Sequence, residues 1–192
     1  MDPREVEIVL RESDEIIGGI HGFLLCMKGG TLLPNAGVDN SNAPQGCLVP
    51  LPADSNASAN RIRNEIRERS RAEVGVIIAD SRVHPMRSGC CGIAIGCAGI
   101  SAVLDTHRRN DSTENNRFGK ELADADCIAS AAELVMGESD EGIPCAIVRG
   151  LGLPINDRSG VPVIDVNDCI FMKAVSERRE SRERETARKE VT

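Results

Sequence analysis

The residues best suited to chemistry are two carboxylates with oxygen-bearing neighbours. Asp39 lies in the stretch 34–45, PNAGVDNSNAPQ, beside Asn35, Ser41 and Asn42, and Asp80 is followed directly by Ser81. Carboxylate, hydroxyl and amide oxygens are the donors that hard divalent cations such as Mg2+ or Mn2+ take. A cation held there would also allow an acidic protein to bind phosphate. The same residue types stabilise turns and caps, so both roles stay open on composition alone.

Other chemistries find little support. The chain has no Walker A run, no Gly-rich dinucleotide fingerprint after a strand, and no nucleophile elbow. His21, His84 and His107 share no spacing expected of a metal site or a nucleophile–base pair. The eight Cys contain no CxxC pair and are expected to be buried, reduced thiols rather than a disulfide framework.

Composition narrows the partners. A net charge of -7 argues against general nucleic-acid binding, and three Phe with no Tyr or Trp argue against base stacking on aromatic platforms. The opening MDPREVEIVL is charged where a signal peptide needs an apolar core, and the longest uncharged run, 89–104, is short and Gly-rich. A cytoplasmic protein without membrane or nucleic-acid partners is expected. With 41% hydrophobic residues over 192 positions it should fold, on a core of Ile, Val, Leu, Ala and Cys.

The elements that must position Asp39 and Asp80 follow from pattern. A helix capped by Asp2 is predicted through Val6, Val9, Leu10, Ile16 and Ile17, stopped by Gly18 and Gly19. Residues 21–28 and 31–33 read as a hairpin turning at Gly29 and Gly30, and 34–45 as an irregular loop. A short strand at 47–51 precedes a helix capped by Asp54 or Ser55 and running through Ile62 and Ile66. VGVIIA, 74–79, reads as a buried strand delivering Asp80 and Ser81 at its end. Then come a loop at 82–92, one or two strands in 93–104 and a polar loop to 116. A helix over 121–136 stopped by Gly137 and a buried strand at 143–148 complete the pattern. The mixture predicts an α+β architecture over 1–175, with 176–192 a solvated helix or tail.

Five strings then coincide in order and spacing with one family. NAGVDNSN (35–42) is similar to N-A-G-[IV]-D-x-S-N, and LPADSNASANRIR (51–63) to a segment ending S-A-x-x-[IL]-R. VGVIIADS (74–81) resembles V-G-V-I-I-[ST]-D-T, while GIAIGCAGI (92–100) and AAELVMGE with IPCAIVRGL (131–138, 143–151) match further on. The chain thus resembles the coenzyme F-420-0:L-glutamate ligases, or gamma-glutamyl ligases.

The resemblance implies a homodimeric, gamma-glutamyl ligase-like α+β fold of mixed sheets with packed helices. It implies a GTP-dependent, metal-assisted ligation of L-glutamate to a deazaflavin coenzyme precursor through an acyl phosphate. Carried over by position, Asp39, Asp80 and Ser81 would hold Mg2+ or Mn2+, with K+ as a further ion. Asn35, Ser41, Asn42 and Arg87 would contact the nucleotide, and Arg87, last in the family's G-R-P-x-R loop, would act on phosphate. The family's S-K-x-x-S-K-x-E-G-R motif would precede Met1. Val83 and His84 stand at the Gly and Arg of the G-R-P-x-R loop. Arg108 and Glu114 stand at two Gly positions of a second motif that keeps Asp105, Arg109 and Asp111. These departures favour the alternative of a catalytically impaired relative that binds metal or nucleotide as a regulatory or interaction protein.

Overall fold

A computed structural model of the protein describes residues 1–40, 43–105 and 121–176. The chain divides into two compact units, Met1–Lys28 with Leu32–Pro162, and Gly29–Thr31 with Val163–Thr192. Within its described residues the protein is α+β, with small antiparallel sheets.

The first unit opens with helix α1, Pro3–Glu12. The Asp2 carboxylate accepts from the Arg4 amide at 2.8 Å and Pro3 sits where a missing N–H costs nothing, as the sequence predicts. The helix is shorter than expected. Ser13 leaves it with extended backbone, and Ile16, Gly18 and Gly19 belong to strand β1, Glu15–Ile20. The physical reason is a partner: EIIGGI pairs with strand β2, Phe23–Lys28, from Glu15 opposite Met27 to Ile20 opposite Phe23. The β-branched Ile residues favour a strand, Gly18 and Gly19 disfavour helix, and the ladder with β2 fixes the choice. Strand β3, Thr31–Pro34, completes a three-stranded sheet in the order β1-β2-β3, and the predicted Gly29–Gly30 turn has φ of 56° and 75°.

The loop after β3 starts with a single 3-10 turn, Asn35–Gly37, and its expected irregularity ends in a bridge between Asp39 and Val49. That bridge is all that forms of the strand predicted at 47–51. A first core of Val9, Cys26, Ala36 and Val38 closes under this loop.

Helix α2, Ser55–Ser70, begins where expected, with the Asp54 carboxylate accepting from the Ala57 amide at 2.8 Å. Asp54→Ala should lower stability by about 1 kcal/mol, read as a reduced denaturant midpoint with unchanged slope. Strand β4, Val76–Val83, pairs antiparallel with strand β5, Cys90–Ala98, with an irregularity between Ile78 and Ala79. Two expectations change here. Asp80 and Ser81 lie inside β4 rather than at its end, and the predicted loop at 82–92 shrinks to the turn 84–89, because Arg82 and Val83 continue the ladder opposite Cys91 and Cys90. Nor is β4 fully buried: its residues are half-buried or exposed.

Two short strands, β6 (Leu104–Asp105) and β7 (Glu121–Leu122), pair with each other before helix α3, Asp124–Met136. The helix predicted from 121 therefore starts later, and it stops at Gly137 as the sequence predicts. Residues 106–120, which include His107, Arg108, Arg109, Asp111 and Glu114, lie outside the described residues, as do 177–192 of the charged tail. A second core of Ala94, Cys97, Ile100, Ala102 and Ala125 joins β5 to α3, with Ile77, Ile128 and Val161 against it. Small side chains let the elements approach closely: a Cβ at Gly92 would stand 2.7 Å from the Ala129 carbonyl oxygen, and one at Gly96 would meet the Ser55 carbonyl.

The strand predicted at 143–148 does not form. No neighbouring strand offers a ladder to this segment among the described residues, and Ile147 is 80% exposed. Pro144, Cys145, Ala146 and Val148 instead line a cavity of about 430 Å³ with Ile77, Ile128 and Met136. All eight Cys are free, but burial holds only for Cys26 and Cys97, while Cys47, Cys90, Cys127 and Cys145 are exposed. Among the described residues no helix is long and apolar enough to cross a membrane. In the second unit, Asp165 accepts from the backbone and side-chain nitrogens of Asn167, both at 2.9 Å, ahead of a helix over 170–176.

Candidate active site

The loop that carries Asp39 is held from both ends. Asn35, buried and with φ of 50°, uses its side-chain oxygen to accept from the Leu24 amide of β2 at 2.9 Å. Ala36 and Gly37 continue in the left-handed region, a conformation that turns the chain sharply toward Asp39. At the far end Asp39 and Val49 exchange both backbone hydrogen bonds, at 3.0 and 2.8 Å. Asn35 is thus a fastening of the loop, its amide oxygen engaged by β2. Ser41 and Asn42, predicted beside Asp39, lie outside the described residues.

Asp80 is half-buried on β4, and burial is the largest influence raising its pKa above the usual carboxylate range. The Ser81 amide and the Arg82 guanidinium pull it back down, while the negative charges of Asp39 and Glu138 push it up. Asp39 and Asp80, far apart in sequence, therefore share one electrostatic site. Ser81 reaches in another direction, its hydroxyl donating to Glu138 Oε2 at 2.6 Å.

Glu138 and Glu133 are the residues that sequence reasoning missed. Glu138 immediately follows the stop of α3 at Gly137, a place where a helix end presents a side chain to neighbouring strands. Glu133, on the last turns of α3, accepts from the Gly92 amide of β5 and is hydrogen-bonded to Glu138. The only signal available beforehand was a pair of Glu five residues apart around a Gly stop in AAELVMGE. Burial first, then the bond to Glu138 and the charges of Glu138 and Asp80, hold the Glu133 carboxyl up at about 7.

A pH dependence follows from this. A carboxyl with an ordinary value of 4.5, held at about 7 when folded, binds more protons in the folded state between those limits. Its contribution to stability is whole below about pH 4.5 and is lost as pH rises toward 7. The melting temperature of the ligand-free chain should fall across that window, and Glu133→Gln, which keeps a hydrogen-bonding side chain without the titration, should flatten the fall. An equally steep profile in that variant would place the titration elsewhere.

Arg87, expected on phosphate, sits in the exposed turn 84–89, where its amide donates to the His84 carbonyl at 3.1 Å. The structure therefore brings Asp39, Asp80, Ser81, Glu133 and Glu138 into one neighbourhood and leaves Arg87 on the turn that follows β4.

No three His, Cys, Asp or Glu side chains among the described residues close into a cage on one point. The donors near one another, the Asp80, Asp39 and Glu138 carboxylates and the Ser81 hydroxyl bonded to Glu138, are all oxygens; burial first, then the charges of Asp39 and Glu138, raise Asp80. That set suits Mg2+ or Mn2+, ions commonly held by one or two carboxylates together with substrate phosphates. The residues present fit such an ion.

A model of the F420-0:gamma-glutamyl ligase family matches residues 1–150. The chain belongs to the F420-0:gamma-glutamyl ligase family. It is 45% identical over 156 residues to the coenzyme F420:L-glutamate ligase of Methanopyrus kandleri, covering 78% of this chain and 60% of that protein. It is 41% identical over 150 residues to the enzyme of the same name from Methanothermobacter thermautotrophicus, with 78% and 60% covered. The ligase of Methanocaldococcus jannaschii is 41% identical over 164 residues, with 85% and 66% covered. The chain thus spans about three fifths of the length of the first two relatives. Family membership covers every element from α1 to α3, and with them both acidic residues predicted from sequence and both found only in the structure.

Proposed function

We propose that the protein is a GTP-dependent, metal-assisted ligase that adds L-glutamate to a deazaflavin coenzyme precursor. The observation that carries this reading is the charge interaction of Asp39 and Glu138 with Asp80, with the Ser81 hydroxyl bonded to Glu138, within a chain of this family. A carboxylate oxygen of the precursor attacks the γ-phosphorus of GTP, GDP leaves, and an acyl phosphate forms. The glutamate amine then attacks the acyl carbon, phosphate leaves, and the nitrogen loses a proton as the amide forms. A divalent ion at the site supplies charge neutralisation for the phosphates and alignment of the transferred group.

The chain's own residues do the positioning. Asp39 and Asp80 approach the ion from a pinned loop and from a paired strand, so neither needs to reorganise greatly on binding. Ser81 fixes Glu138 through its hydroxyl, and Glu133, neutral below about pH 7, braces Glu138 from α3. Mg2+ or Mn2+ is the ion that these oxygens favour. K+ as a further ion, Asn42 and Ser41 on the nucleotide, and a homodimer rest on the family resemblance. The exposed apolar side chains Leu134 and Ile147 supply surface for a dimer.

A second reading, a relative that binds metal or nucleotide without turnover, is favoured by the 84–89 turn. Val83, at the end of β4, and His84, on the turn, stand at family positions that would carry Gly and Arg, and His84 is exposed with Nδ1 3.2 Å from the Pro85 carbonyl oxygen. Calorimetric titration of GTP with and without Mn2+, followed by GDP release with and without L-glutamate and the deazaflavin precursor, separates the readings. Metal-dependent binding with glutamate-dependent release supports the ligase. Binding without release supports the second, and the absence of metal-dependent binding overturns both.

A further inference from the structure

The cation that acts on Asp80 is not on the 84–89 turn. It is Arg82, two residues along β4, and strand alternation places it on the same face as Asp80 while Ser81 points away. Its backbone is fixed opposite Cys91, so its position is set by the β4–β5 ladder rather than by a loop.

The state of its side chain is unusual. Arg82 is half-buried, and its Nε is buried with no hydrogen-bond partner among the described residues. The ion pairs of the described residues use Arg4, Arg11, Lys28, Arg63, Arg67 and Arg69 instead. Asp126 is a further negative charge that acts on it along with Asp80. Asp126 is already committed, accepting from the Ala94 amide at 2.9 Å. A buried guanidinium donor without a partner is costly, and the arrangement is stable in function when a ligand supplies the acceptor.

A guanidinium offers parallel N–H groups in a rigid fork, which matches two oxygens of a phosphate or a carboxylate. We propose that Arg82 binds a substrate oxyanion beside Asp80, donating from Nε and a terminal nitrogen to two of its oxygens. This rests on the reading of Asp80 as the ion and phosphate site. The ion on Asp80 and the fork on Arg82 would grip one anionic group from two sides. The group is either a phosphoryl group of the nucleotide or a carboxylate of the amino acid, and the two share the same recognition chemistry.

The test is calorimetry on the whole chain as wild type, Arg82→Met and Arg82→Lys, titrated separately with Mn2+, GTP plus Mn2+, L-glutamate and inorganic phosphate plus Mn2+. Arg82→Met should bind Mn2+ as well as or better than wild type, because a positive charge beside a carboxylate site is gone. It should lose affinity for the oxyanion by about tenfold or more, with Lys restoring only part of it. Loss on GTP and phosphate identifies the phosphoryl source, and loss on L-glutamate alone identifies the carboxylate. Unchanged affinity for all three anions in Arg82→Met overturns the proposal, as does an equal loss for Mn2+ and anions with a lowered melting temperature, which marks a structural arginine. A wild-type chain that binds phosphate or glutamate through Arg82 but not GTP overturns the nucleotide reading alone. Failure of wild type to bind any of the three anions overturns the Arg82 assignment as well.

Discussion

Asp80→Asn should abolish metal-dependent GTP binding while leaving the ligand-free protein as stable as wild type or more so. The two effects share one cause. Asp80 carries a raised pKa because burial and the charges of Asp39 and Glu138 disfavour its ionised form. At neutral pH that ionised form is a liability to the fold, and a neutral side chain of the same shape relieves it. The same negative charge is what would attract a divalent ion, so affinity should fall by more than about a hundredfold, the upper range for losing even an outer-shell partner. Calorimetry with Mn2+ and a thermal melt without it measure both. GTP affinity that still depends on Mn2+ to the wild-type extent would sink the assignment of Asp80. A large fall in melting temperature would show that the residue is structural instead.

Gly92→Ala should produce a large loss of stability from a single methyl group. The added Cβ would stand 2.7 Å from the carbonyl oxygen and 2.9 Å from the carbonyl carbon of Ala129, backbone atoms of α3 that no side-chain rotation can clear. Relief requires moving α3 away from β5. That movement weakens the bond from Ser130 Oγ to the Gly92 carbonyl, 2.7 Å, and the one from the Gly92 amide to Glu133. Overpacking of this kind costs about 1–3 kcal/mol, and at this chain length each kcal/mol lowers the melting temperature by roughly 2–4 °C. Because Glu133 braces Glu138, ligand binding should weaken as well. Gly18→Ala is the control, since a Cβ there meets nothing within 4 Å. Equal melting of the two variants would refute the close approach of α3.

Local signals proved legible where a single residue decides the outcome. Asp2, Asp54 and Gly137 each act over one turn, and each marks its helix end as the sequence predicts. The hairpin at Gly29–Gly30 follows for the same reason. Where the outcome depends on a distant partner, pattern was insufficient. Ile16 and Ile17 continue the stripe of α1, yet β2 takes them into a sheet, and nothing near them in sequence announces that competition. Ile143–Val148 has the composition of a buried strand, but a strand requires a pairing partner, and among the described residues none pairs with it. The site divides in the same way. Asp39 and Asp80 stand out among oxygen donors, whereas Glu133 and Glu138 gain their meaning only when α3 is laid against β5.

The fastening of Asn35 to β2 has a mechanical result for the whole first unit. It ties the Asp39 loop to the core around Val9 and Cys26, while Asp80 belongs to the ladder beside the core around Cys97 and Ala125. An ion gripped by both carboxylates would therefore act as a rivet between two separate hydrophobic nuclei. Without it the two nuclei can soften at different temperatures. If ion and nucleotide bind as proposed, the two should melt together, and the calorimetric transition should be narrower with both ligands than without them.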